Sequence, residues 1–215
     1  MEIVWLSKGK PKTLIYKEKE YRSGISKAQV NTLDVYKTII SGDDVENHEY
    51  HGGVDRVICV YPYEHYHFWE KTYQTSLPKA AFGENMTVSG MTEETVCVGD
   101  MYQIGETILQ VSQGRFPCST INKHTNIPTL LARIVEKGYT GYFFRVVKEG
   151  RISENDTIHL IEKHPFQLSI AKIHHTYFHD KQNLKLMEKM ILLDELSKEW
   201  KDRVKKLYSQ QQQIK

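Results

Sequence analysis

Over its first three quarters the chain alternates apolar and polar positions in many short runs. VWLSKG opens such a run near the N-terminus, and RVICVYPY is a continuous apolar, β-branched stretch closed by proline. TVCVGDMYQIG and ETILQVSQ are separated by Gly105-Glu106, the signature of a hairpin. GYFFRVVKEGRI contains a strand that turns at Glu149-Gly150, and DTIHLIEK alternates throughout. VGDMYQI and ENDTIHL share an entry pattern, a Gly-Asp or Asn-Asp turn ahead of an alternating run. Many short strands with such turns predict a barrel or a sandwich. Two helices interrupt the set. One covers YEHYHFWEKTY, with Pro62 in its first turn. The other runs from about Pro128 through Glu136, with an apolar stripe of Leu130, Leu131, Ile134 and Val135 and Gly138 at its C-terminal cap.

After Pro165 the pattern changes. Strand signals and glycines both stop. Leu184, Met187, Ile191 and Leu196, then Trp200, Val204 and Leu207, recur near helical spacing. Ser197 is placed to cap the last helix. The spacing predicts three short helices in residues 166–209 and a frayed QQQIK end. The fold class expected is mostly β with helices (α+β), residues 1–163 forming the β domain and residues 164–215 a helical extension.

Composition narrows the function classes. The 215 residues are 40% hydrophobic and 26% charged, ordinary for a water-soluble domain, and the net charge of +2 advertises neither a nucleic acid nor an anionic membrane as partner. No apolar run is long enough to cross a bilayer. In MEIVWLSKGKPK the lysines follow the apolar residues, the reverse of a secretory signal, so a cytoplasmic location is expected.

Cys59, Cys97 and Cys118 are too few and too uneven for a disulfide framework or a cysteine zinc site. Cys59 and Cys97 sit among valines and isoleucine and read as inert core thiols. Cys118, in SQGRFPCSTIN, lies between a strand end and a helix. Pro117 stiffens the approach, and Arg115 would favour the thiolate. It is either a functional thiol or a surface cysteine beside an unrelated arginine. HGGVDR, from His51 to Arg56, has paired glycines that permit close backbone approach, with a histidine and an arginine able to hold an anion; by itself it also fits a plain loop with a salt bridge. AFGENMTVSG alone is an ordinary turn before a strand. HYH at 65–67 suggests a metal pair, but residues two apart on a helix do not face each other, and aromatic packing of His65, Phe68 and Trp69 is the simpler reading. His174-His175, His179 and the lysines of KEWKDRVKK read as solvated helical faces, with nearby acids arguing against nucleic-acid binding.

Taken together, HGGVDRVICVYPYEHYHFW and AFGENMTVSGMTEETVCVGDMYQIGETILQVSQGRFPC resemble the MOSC domain family, in the order and spacing of its YiiM-like subgroup. The most specific pieces are FGEN, VGD and the strand ending QVSQGRFPC; SGISKAQV, with Lys27, is similar to the family's early Gly/Lys motif. The resemblance covers about residues 1–163, and the tail is similar to the subgroup's three-helix extension. It implies a MOSC-type β-barrel that binds the molybdenum cofactor (Mo-pyranopterin), with the family's cysteine as metal ligand, here Cys118. A family-level association with pyridoxal phosphate also comes with it. The family pattern puts Lys27, Arg56, Gly83, Asn85 and Arg115 around the cofactor, and His51 or Glu84 beside the reacting atoms as a proton source. The cofactor's phosphate suits the basic side chains. The implied activity is two-electron reduction of N-hydroxylated compounds, including nucleobases. With no flavin, haem or iron–sulfur motif in the chain, electrons are expected from a separate donor protein. Gly114, Phe116 and Ser119-Thr120 depart from the pattern of some relatives, where they are expected to tune the substrate.

Two other functions compete: a non-enzymatic carrier of the cofactor or its sulfurated form, and a metal-free ligand-binding barrel in which Cys118 is incidental. The tail would serve as a lid, a homodimer element or a partner dock.

Overall fold

The run RVICVYPY becomes the strand β6 (Ile58–Pro62), buried at every position. Its side chains divide between two cores. Ile58 and Val60 join one cluster and Tyr61 the other, so both faces of the strand are covered. That double burial is why the stretch is continuously apolar rather than alternating.

The computed structural model describes residues 1–49 and 51–213. Ahead of β6 lie β1 (Glu2–Lys8), β2 (Lys12–Tyr16), β3 (Lys19–Ser23), β4 (Ala28–Val30) and β5 (Thr32–Val35). Helix α1 (Glu64–Tyr73) follows, then β7 (Met86–Ser89), β8 (Met101–Ile104) and β9 (Thr107–Gly114). Helices α2 (Thr120–Thr125) and α3 (Leu130–Lys137) precede β10 (Tyr142–Lys148), β11 (Gly150–Ser153) and β12 (Ile158–Glu162). The chain closes with α4 (Ile170–Phe178), α5 (Leu184–Leu192) and α6 (Lys198–Gln212).

Eight strands form one curled sheet, a half-barrel, in the order β12-β8-β9-β10-β6-β7-β1-β4. The hairpin read at Gly105-Glu106 is β8–β9, with Ile104 opposite Thr107. The two runs with matching entry turns, β8 and β12, are themselves partners. β6 and β7 pair in parallel, with α1 in the connection between them. The ribbon β5–β11 joins segments far apart in the chain, from Thr32 opposite Ser153 to Val35 opposite Gly150. The hairpin β2–β3 turns at Lys17-Glu18, both at positive φ, where no glycine or asparagine announces it.

The sheet's inner face and the tail share one core. Leu109, Val111 and Phe144 from the strands belong to the same buried cluster as Ile173, Met190, Trp200 and Val204 from the helices. Three helices occupy the expected span, and Ser197 caps α6 by accepting from the Trp200 N–H. On the opposite side α1, α2 and α3 pack through Tyr66, Trp69, Ile121, Leu130 and Ile134 against Trp5 and Tyr61. Gly138 takes the left-handed conformation at the end of α3.

Several expectations need correction. Pro62 ends β6 instead of opening α1, because it still pairs with Val88. TVCVGD is not a strand; Cys97 makes an isolated bridge to Ser169 at the junction with the tail. Gln211 and Gln212 remain helical, while Ile214 and Lys215 of the expected frayed end lie outside the described residues. His174 is not on a solvated face: it is buried and hydrogen-bonded to Thr140. The aromatic packing expected of His65, Phe68 and Trp69 is present: His65 stacks face to face on Tyr139 with ring centres 3.8 Å apart, both Phe68 and Trp69 pack on the same ring, and His65 bonds Glu93 at 2.6 Å.

Candidate functional site

A cavity of about 470 Å³ opens where the end of β9, the loop before α2, segments 43–47 and 51–57 and the turn before β7 converge. Lys27, His51, Arg56, Gly83, Asn85, Arg115 and Cys118 all line it. Seven residues singled out from the sequence, scattered over some ninety positions, thus meet on one surface. Glu84 does not line it.

Gly83 and Asn85 flank a sharp turn. Gly83 has φ +75°, and a Cβ there would come within 3.0 Å of Ile25 Cγ1, so the chain needs glycine for both conformation and space. The turn sends neighbouring side chains in opposite directions. Glu84 points inward, fully buried, where it accepts from the Tyr66 hydroxyl at 2.5 Å, the Thr87 hydroxyl at 2.8 Å and the Phe82 N–H at 3.1 Å. Burial raises its carboxyl above the ordinary range, against the pull of these hydrogen bonds. Between the two acids considered as proton sources, only His51 is at the cavity wall. Asn85 accepts from the Cys59 N–H at 3.1 Å and donates to Asp43 at 2.9 Å. Asp43 in turn holds the Lys27 ammonium and accepts from the Gly9 N–H at 2.8 Å. A buried cation is thereby fixed at the cavity floor with its counter-ion already engaged.

Cys118 is half-buried. Burial works to raise its thiol, but hydrogen bonds from the His51 and Thr120 side chains and the charge of Arg115 outweigh it, and the thiol is brought down to about 6. The other thiols behave as core residues: burial pushes both Cys59 and Cys97 upward. Arg115 is the other unusual group. Burial opposes its charge, yet Cys59, Cys118 and Glu84 around it hold the guanidinium charged. Its Nη1 is enclosed and has no hydrogen-bond partner among the described residues. Such an orphaned donor is costly in a folded protein, and it belongs to a side chain that lines the cavity.

Arg56 is anchored by donating to the Gly52 carbonyl at 2.7 Å and to Glu199 at 2.8 Å. Glu199 and Arg203, one turn apart on α6, both reach the cavity wall. So do Asp43 and Gln113, the latter with a buried Oε1 that has no partner among the described residues. Sequence reasoning missed all four. KEWKDR reads as a solvated face, and nothing local marks which of its charges turn inward.

The arrangement is a soft thiolate in a concave, cation-rich pocket. The family model for the MOSC domain matches residues 47–159, more than half the chain, and that for the YiiM-like, 3-alpha helix domain matches residues 168–208. The chain belongs to the MOSC domain family, with the YiiM-like helical extension. YflK of Bacillus subtilis (strain 168) is 38% identical over 200 residues, covering 93% of this chain and 90% of its own. The crystal structure of YiiM from Geobacillus stearothermophilus superposes with a TM-score of 0.83 at 36% identity, over 96% of this chain and 98% of that one. A protein named "Reductase" from Gibberella moniliformis (strain M3125 / FGSC 7600) is 38% identical over 117 residues, 53% of this chain but 21% of that much longer protein. Among the described residues, no helix is long and apolar enough to cross a membrane.

Proposed function

We propose that this protein is a molybdenum-cofactor-dependent oxidoreductase that reduces N-hydroxylated compounds, N-hydroxylated nucleobases among them. The observation that carries the reading is the Cys118 thiol, held largely as thiolate near neutral pH in a cavity lined by Arg115, whose enclosed Nη1 has no partner among the described residues. The donor set suits the group. A thiolate is the protein ligand a thiophilic metal takes, and buried cations suit a phosphate-bearing pterin. The reductase-named relative supports an oxidoreductase without specifying a substrate.

Cys118 would hold the metal, and Lys27, Arg56 and Arg115 would face the anionic part of the cofactor. Asn85 and Asp43 would keep Lys27 in place before the ligand arrives, which lowers the reorganisation needed on binding. When bound, the cofactor supplies the two electrons and the oxygen-accepting centre for cleavage of an N–OH bond. Two protons must be delivered for R–NHOH to leave as R–NH₂ and water. His51, exposed to solvent and hydrogen-bonded to Cys118, is the residue we assign to deliver them. Glu84, turned away behind Gly83, is assigned a structural role. The electrons would reach the site from a separate donor protein, in the cytoplasm. We place the boundary between the MOSC domain and the helical extension at residues 163/164.

The test is to express the full chain in a host that makes molybdenum cofactor and measure molybdenum per chain, with Cys118→Ser alongside. Turnover of hydroxylaminopurine is then assayed with a chemical electron donor. Metal in the wild type, loss in the variant and turnover are the expected results. Metal without turnover on a panel of N-hydroxylated compounds would favour a cofactor carrier. A folded wild-type chain that takes up no molybdenum would overturn the reading.

A further inference from the structure

The last residue of β9 and the three that follow it form a strap, Gly114-Arg115-Phe116-Pro117, that leads into the Cys118 thiol and carries the Arg115 guanidinium. The β body holds its start, where Gly114 pairs with Tyr142 of β10 and the Arg115 N–H donates to the Gly141 carbonyl at 3.0 Å. The other holds come from the helical extension. The Trp200 indole N–H on α6 donates to the Gly114 carbonyl at 2.7 Å in a fully buried bond. The Trp200 ring stacks on Phe116 with centroids 4.3 Å apart, and the Arg203 guanidinium lies 4.3 Å from the centre of the same ring. From α4, His174 bonds the Arg115 backbone and the Thr140 hydroxyl, the latter at 2.7 Å. The fit against Gly114 is close: a Cβ there would fall 2.3 Å from His174 Nε2. Behind this, the Ser197 N–H at the start of α6 donates to the Ser112 carbonyl of β9 at 3.0 Å.

These contacts are specific to the strap. A tail that only covered the sheet would need apolar side chains, which α4, α5 and α6 supply elsewhere. Instead a buried imidazole and a buried indole spend their hydrogen bonds on the backbone of the residues that precede Cys118. Buried polar groups of this kind are retained where they select one geometry.

We infer that the C-terminal extension is a working part of the site, with His174 and Trp200 as positioning residues that hold the strap and, through it, the Cys118 sulfur and the Arg115 guanidinium against the cavity. The inference rests on this cavity being the functional site. It does not depend on the identity of the cofactor, and its test reads the strap itself, so it can fail separately from the molybdenum reading.

Hydrogen–deuterium exchange on the full-length chain provides the test, comparing Trp200→Phe and His174→Phe with Val204→Ala. Trp200→Phe keeps an aromatic ring to stack on Phe116 but removes the N–H and some buried volume, which the Val204 control accounts for. Val204 is buried on the same helix and its side chain has no hydrogen bond to give the strap, so its truncation reports what plain loss of packing does. Each aromatic variant is expected to speed exchange in peptides spanning 113–119 by about tenfold, the factor that follows from losing one net hydrogen bond, while the β8–β9 turn keeps wild-type protection. His174→Gln, which retains a donor, should lose less protection than His174→Phe. Val204→Ala should lower the melting temperature without a strap-specific effect. If His174→Phe does not fold, Trp200→Phe decides alone. Strap protection unchanged in the aromatic variants, or lowered no more than in Val204→Ala, would show that the extension is only a cover and overturn the inference.

Discussion

The reactivity of Cys118 follows directly from its surroundings and can be measured without any cofactor. In the metal-free chain its thiol should titrate at about 6, against an ordinary 9.0. At pH 7 a thiol of that acidity is about 90% thiolate, whereas one at its ordinary value is about 1%. Rate alone discriminates poorly, because nucleophilicity falls with acidity. With a Brønsted slope of about 0.45 the lowered thiol is intrinsically about 20-fold less reactive, leaving a net advantage of only about four- to fivefold. The midpoint of the pH–rate profile is the informative quantity. Alkylation by iodoacetamide, followed by peptide mass spectrometry, separates Cys118 from Cys59 and Cys97, whose thiols burial pushes upward. His51→Ala removes a hydrogen bond to the thiolate worth about 1.5–3 kcal/mol, which moves the midpoint up by about one to two pH units. Arg115→Met should also raise it, by removing the nearest cation. A wild-type midpoint above about 8, or no movement in His51→Ala, would refute this account of the site.

Three further outcomes are expected. Gly83→Ala should destabilise the fold by about 1–2 kcal/mol in denaturant titration, since φ is +75° and the new methyl meets Ile25. Ser197→Ala should cost about 1 kcal/mol, because its hydroxyl is the acceptor for the Trp200 N–H at the start of α6. His174 is brought from 6.5 to about 4, chiefly by burial and against the opposing influence of Glu93 and the Arg115 backbone. A folded value below the unfolded one means stability is present above pH 6.5 and lost as the pH falls through 4, by about 3 kcal/mol in all. Denaturation curves across that window should therefore be flatter for His174→Phe than for the wild type.

The sequence by itself determined the local elements and the list of chemical suspects. The hairpin at Gly105-Glu106, the α3 stripe with its Gly138 cap, and the Ser197-capped last helix were legible because each is written in neighbouring residues. The suspects came from a motif resemblance, and the tertiary structure brings seven of them to one cavity. What the pattern of polar and apolar positions could not contain was pairing over long distances. Nothing local says that β11 joins β5, or that β6 lies parallel to β7 across α1, because each strand's periodicity is satisfied by any partner that covers its face. The same limit governs polar side chains. Glu199 and Arg203 look like an ordinary i, i+4 ion pair on a solvated helix, and only docking of α6 makes them cavity wall. His174 looks exposed beside His175, until burial against Gly114 decides otherwise. Glu84 and Asn85 are adjacent in FGEN, yet the turn at Gly83 sends one into the core and one to the cavity. Side-chain identity names the chemistry available, and long-range packing decides which of it faces the ligand.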